Sequence, residues 1–142
     1  MSSIHRTAEF DVPAATLWRA LTDRELLEAW LMPNDFRAEV GHRFTMTTEP
    51  APMFDGTVHL EVLELEPPHR MVWSWRGGPI DTIVTFTVTE LGPRSCRFDF
   101  SQEGFRGPGA EFARFFLRGG WKKLNPLLGA VVKTLERVRT DS

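Results

Sequence analysis

The chain contains no tyrosine and only one cysteine, Cys96. A single thiol cannot close an internal disulfide, which argues against a small bridge-stapled secreted scaffold and for a cytoplasmic location. Long apolar runs are missing too, and the stretch from Met1 to Asp11 is polar and charged. Neither a membrane span nor a signal peptide is therefore expected. No sign of charge dominates, since 17 Lys and Arg stand against 19 Asp and Glu for a net charge of −2. That balance gives no general reason to expect nucleic acid as a partner. What is abundant is ring surface without hydroxyls: 11 Phe and 5 Trp in 142 residues. A chain this long suits one domain, spanning 1–142, that buries about two-thirds of its surface. Within it, so many bulky apolar rings make either a coarse-grained core or the lining of a cavity.

Signatures of chemistry are scarce. The histidines His5, His42, His59 and His69 lack metal-ligand spacing, and Cys96 has no cysteine partner, so no metal site is expected. Nucleophile elbow, zinc-protease helix motif, phosphate-binding loop and dinucleotide fingerprint are all missing, and no cofactor or catalytic residue is assigned. Trp75-Arg76-Gly77-Gly78 is glycine-rich, but it joins two strands and opens no helix, so it reads as a hairpin. Asp55, His59, Glu61, Arg76 and Asp81 are the polar residues that could serve an enzyme, or simply be solvated. A histidine or carboxylate inside an apolar cavity would have a shifted pKa and become an acid–base candidate.

The order of elements follows from periodicity. Ile4–Asp11 alternates weakly, as an edge strand would. Val12-Pro13 opens a short helix with Leu17, Trp18 and Leu21 on one stripe. Thr22 and Glu25 form a capping-box pattern that starts a second short helix carrying Leu26, Leu27, Trp30 and Leu31, stopped by Pro33. Strands follow: His42–Thr48 with Phe44 and Met46 in phase; Gly56–Glu66, whose parity switches after Val62 and predicts a bulge; a strand with Met71, Trp73 and Trp75 on one face; Thr82–Glu90; and a strand carrying Cys96, Phe98 and Phe100. Short Gly/Pro turns between them imply an antiparallel meander.

After a loop at Gly104–Gly109, the pattern from Ala110 onwards is helical. Leu117, Trp121, Leu124, Leu128, Val132 and Leu135 share one arc of about 140°, while Phe112, Phe115 and Phe116 lie on another azimuth. The helix therefore bends near Gly119-Gly120 or buries a second face in its first turns, and Asn125-Pro126 predicts a kink. From Arg106 to the end there are 8 basic against 3 acidic residues, while the preceding residues hold 9 against 16. A basic terminal helix could meet an acidic partner, or be a solvated face that offsets an acidic body.

This order resembles the helix-grip fold of the START/SRPBCC (Bet v 1-like) superfamily. Pro13, Leu17-Trp18-Arg19-Ala20-Leu21-Thr22-Asp23, Leu26, Leu27 and Trp30 look like the N-terminal signature of its AHSA1-like family, named for the Hsp90 ATPase activator. Gly56-Thr57-Val58, Glu61-Val62-Leu63-Glu64, Pro67-Pro68, Met71-Val72-Trp73-Ser74-Trp75 and Gly120-Trp121 match as well. The resemblance implies an α+β fold in which a curved antiparallel β-sheet wraps around a long C-terminal α-helix, with two short helices after the first strand. It also implies an apolar cavity between sheet and helix. The ligand-binding candidates are then Phe44, Met46, Trp73, Trp75 and Phe98 from strands, and Leu117, Trp121 and Leu124 from the helix. Trp30 and Phe54 would sit near the mouth, with His59 and Asp81 as polar candidates. For any one of these rings, ordinary core packing is the alternative.

Binding of a small hydrophobic or amphipathic molecule without catalysis is the favoured reading. The alternatives are a chaperone-associated or stress-response interaction domain and a cyclase- or hydrolase-like enzyme. A homodimer, through a strand edge or the terminal helix, is left open.

Overall fold

The sheet is written in alternation. In the computed structural model, which describes residues 2–50 and 54–141, six strands form one antiparallel sheet. They are β1 (Ser2–Phe10), β2 (Arg43–Thr47), β3 (Thr57–Glu66), β4 (Arg70–Gly77), β5 (Ile80–Gly92) and β6 (Ser95–Phe105). The meander β2 to β6 runs across the sheet, and β1 closes it by pairing with β6, giving the order β1-β6-β5-β4-β3-β2. Helices α1 (Ala14–Thr22) and α2 (Arg24–Trp30) follow β1, and α3 (Gly107–Asp141) ends the chain. This is the α+β helix-grip architecture expected from the order of elements.

Register brings the apolar positions to one face. Phe86 lies between Met71 and Phe100, and Val84 between Trp73 and Gln102. Ile4, Phe44, Val62, Trp73, Phe86 and Phe98 are all buried, and α3 lays Trp121, Leu128 and Val132 against the same core. The expected bulge falls between Val62 and Glu64, with Leu63 turned outwards, and the inward series resumes beyond it at Leu65, which pairs with Met71 and packs against the core. Gly56 is indispensable at its turn. Its φ is +92°, and a Cβ there would come within 2.6 Å of the Thr48 carbonyl oxygen.

Three local expectations are corrected. The N-cap of α2 is Asp23, not Thr22: Asp23 Oδ1 accepts from the backbone N–H groups of Glu25 and Leu26 at 3.0 and 3.3 Å. Thr22 instead donates its hydroxyl to the Trp18 carbonyl, closing the last turn of α1. The loop expected over Gly104–Gly109 is almost absent, because β6 runs to Phe105 and α3 begins at Gly107. The first turns of α3 do not bury a second aromatic face either, since Phe112 and Phe115 are 63% and 70% exposed. The Phe116 side chain lies outside the described residues.

Helix α3 passes through Pro126 without ending. Its C-terminal half is held by Glu136, which accepts from the Thr16 hydroxyl of α1 at 3.1 Å and pairs with Arg94 of the β5–β6 turn at 2.9 Å. Its outward face carries Arg118, Lys122, Lys123 and Lys133, all exposed.

The capping assignment separates two neighbouring substitutions. Asp23→Ala is expected to cost about 1 kcal/mol in urea denaturation, and Thr22→Ala only a few tenths. The reverse order would restore Thr22 as the cap.

Candidate functional site

The concave face of the sheet carries a continuous series of rings. Trp73 is 0% exposed at its centre, with ring centroids 5.2 Å from Phe44, 5.6 Å from Phe36 and 4.7 Å from Phe86. Phe86 in turn contacts Phe98 and Phe100 at 6.0 and 5.5 Å. Trp121 comes down from α3 to lie 4.0 Å from Phe100 and 5.7 Å from Trp75. Most of these contacts are tilted or edge-on, the arrangement that ring quadrupoles favour.

One polar chain crosses this apolar layer. The Trp121 indole Nε1–H donates to Gln102 Oε1 at 3.0 Å, and Gln102 Nε2 donates to the Thr82 hydroxyl at 2.9 Å. That hydroxyl donates to the Trp75 carbonyl at 3.3 Å. Gln102 and Thr82 are both buried, so the chain links α3 to β6, β5 and β4 out of reach of solvent. Neither residue was singled out from the sequence. The signal was present: each is a polar residue at inward parity, Gln102 two places after Phe100 and Thr82 two places before Val84. Phe36 was missed for a different reason, because it lies outside the strands and α-helices and no periodicity points to it.

Among the described residues, two buried side-chain atoms lack a hydrogen-bond partner, Trp73 Nε1 and Arg6 Nε. Arg6 stands at inward parity on β1, opposite Phe100.

The sequence candidates divide between the two faces of the sheet. Trp30, Phe44, Met46, Trp73, Trp75, Phe98 and Trp121 are buried in one cluster, with Phe54, Leu117 and Leu124 half-buried against it. Trp30 is committed locally, since its Nε1–H donates to the Ala20 carbonyl in the last turn of α1 at 2.9 Å. The Phe54 ring sits over Gly77, where a Cβ would approach its Cε1 to 3.0 Å. His59 and Asp81 do not join them. Both are exposed on the convex face, because their strand parity is opposite to that of Leu60 and Thr82.

There His59, Glu61, Arg76 and Asp81 line an open depression of about 590 Å³ together with Leu63 and Ile83. Its charges are matched in exposed pairs, Arg76 with Asp81 at 3.2 Å and Arg43 with Glu61 at 3.3 Å. Asp55 is elsewhere, accepting from the Thr57 backbone N–H at the start of β3. A smaller hollow of about 220 Å³ lies on the β1–β6–β5 side, lined by His5, Arg6, Thr7, Thr85, Thr87, Asp99, Phe100 and Ser101. Among the described residues no group of three or more His, Cys, Asp or Glu could hold a metal. Burial pushes the Cys96 thiol above its usual range, making it a poor nucleophile.

A family model for activator of Hsp90 ATPase homolog 1-like protein matches residues 11–133. Protein MLL2253 from Mesorhizobium loti is similar at 30% identity, over 94% of this chain and 98% of that one, with a TM-score of 0.84. Protein BH1534 from Bacillus halodurans follows at 24% identity, over 93% and 97% of the two chains, with a TM-score of 0.75. PFC0360w, an HSP90 activator from Plasmodium falciparum, shares the fold at 20% identity, over 72% and 73%, with a TM-score of 0.61. No curated protein matches the chain.

Two measurements check this geometry. Gln102→Leu strands the Trp121 indole donor and takes from the Thr82 hydroxyl the bond it accepts, and is expected to cost about 2 kcal/mol of stability. Combined with Trp121→Phe, the loss should fall short of the sum of the singles, since both disrupt one bond; strict additivity would contradict the chain. In the folded protein Cys96 should resist an aromatic disulfide reagent and react only on unfolding.

Proposed function

This chain belongs to the activator of Hsp90 ATPase homolog 1-like family, and on that premise we propose that it binds a small amphipathic molecule between the sheet and α3 without transforming it. The observation that carries the reading is the Trp73 indole, a fully buried donor with no acceptor in a lining of rings. Leaving such a donor unpaired costs about 1–3 kcal/mol, a cost that a ligand oxygen would remove. The apolar remainder of the lining would gain by releasing water, while one or two polar contacts set orientation.

The proposed lining is Phe44, Trp73, Trp75, Phe98 and Trp121, with Leu117 and Leu124 from the half-buried flank of α3. Trp121 lies over Phe100, so a ligand would reach this lining only as that indole gives up its bond to Gln102 Oε1. Gly119 and Gly120 lie immediately before it, with open space where side chains would be, and Pro126 lacks an N–H to tie that part of the helix. The role is binding because the titratable candidates from the sequence face away from the lining.

The five indole N–H resonances give a direct test. Titrating a medium-chain amphiphile bearing an oxygen head should shift the Trp73 and Trp121 indole signals saturably, and Trp30 little. If none of the five moves while backbone signals of the convex face do, the ligand site is not here. Stimulation of an Hsp90-type ATPase that ignores added amphiphile would favour the interaction-domain reading instead.

A further inference from the structure

Arg6 is a cation in an unusual place. It occupies an inward position on β1, between the buried Ile4 and the half-buried Ala8. Its Nη2 donates to the Arg118 carbonyl of α3 at 3.1 Å and its Nη1 to the neighbouring His5 carbonyl at 3.1 Å. Its Nε–H is buried and has no partner, and no carboxylate among the described residues pairs with it. The backbone carbonyls satisfy hydrogen bonds without neutralising charge, so the guanidinium sits at the rim of the ring layer without a counter-ion. A half-buried charge in that state gains from an anion placed beside its Nε–H.

The neighbourhood says which anion. Arg6 is directly opposite Phe100, and Phe100 carries Trp121, which reaches across to Trp75. From β1 to β4 there are three strand spacings, about 14 Å at ~4.8 Å each. A cation therefore stands at one end of an apolar track the length of a medium acyl chain. Resting on the binding reading above, we infer that Arg6 is the specificity-determining residue of this site. It selects amphiphiles with an anionic carboxylate at this end, held by its free Nε–H and its charge, while their chains follow the Phe100–Trp121–Trp75 rings and the oxygen that meets the Trp73 indole is a second polar group.

The experiment compares three ligands of one chain length on the full chain: dodecanoate, dodecanol and methyl dodecanoate, below their aggregation limits, by calorimetric titration. Dodecanoate is expected to bind about tenfold or more tightly than either neutral analogue. Arg6→Met, which keeps the aliphatic stem, should abolish the preference for the carboxylate, and Arg6→Lys should keep part of it. Equal binding of all three by the native protein, or a preference that survives Arg6→Met, overturns the inference while the binding reading stands. If none of the three binds, the binding reading fails and this one with it. Should Arg6→Met not fold, the native three-way comparison and Arg6→Lys decide the matter.

Discussion

A single glutamine that meets no solvent fixes how the long helix lies on the sheet. Aromatic packing is strong but tolerant of sliding, because ring contacts have several arrangements of similar energy. The bonds from Trp121 through Gln102 and Thr82 to the Trp75 carbonyl have none of that tolerance. A slip of α3 by one residue would leave the Trp121 indole N–H and Gln102 Oε1 unpaired together. The ring layer supplies most of the apolar area, and the polar chain selects one docking among the many that such area would permit.

The clamp at the other end works in the same sense. Glu136 is buried, holds Thr16 of α1 and pairs with Arg94 of the β5–β6 turn. Between these two fixed points lie Pro126 and the half-buried Leu124 and Val131. Before the first point the helix carries exposed Phe112, Phe115 and two glycines with empty space beside them. The turns before Trp121 are tied to the sheet separately, by Arg6, whose Nη2 donates to the Arg118 carbonyl.

Much of the architecture was legible because a sheet with one wet face must alternate. The meander, the bulge after Val62 and the burial of Trp73, Trp75 and Phe98 all follow from parity. Parity was also where the reading stopped short. Gln102 and Thr82 are polar residues in phase with the core, and strand composition alone does not say whether such residues are paired inside or mark a strand end. Arg6 belongs to a weakly alternating edge strand, so its inward position emerged only with the pairing to β6. His59 could be assigned to a face only once the bulge was located beyond it, between Val62 and Glu64. Thr22 and Asp23 are both good caps, and one residue of helix overlap decided between them.

The exposed lysines and arginines of α3 have a consequence for how the molecule moves before it touches anything. Among its described side chains the helix keeps its acids occupied, Glu111 beside Arg114 and Glu136 beside Arg94, so its solvent side there is a line of like charge. The rest of the chain carries the excess of acid. With nearly zero net charge the protein feels little pull in an external field, but it feels a torque. Its separated poles turn it so that α3 leads towards negative potential and trails away from positive, within roughly one Debye length of ~8 Å at physiological salt. Orientation, not attraction, is what this charge pattern controls.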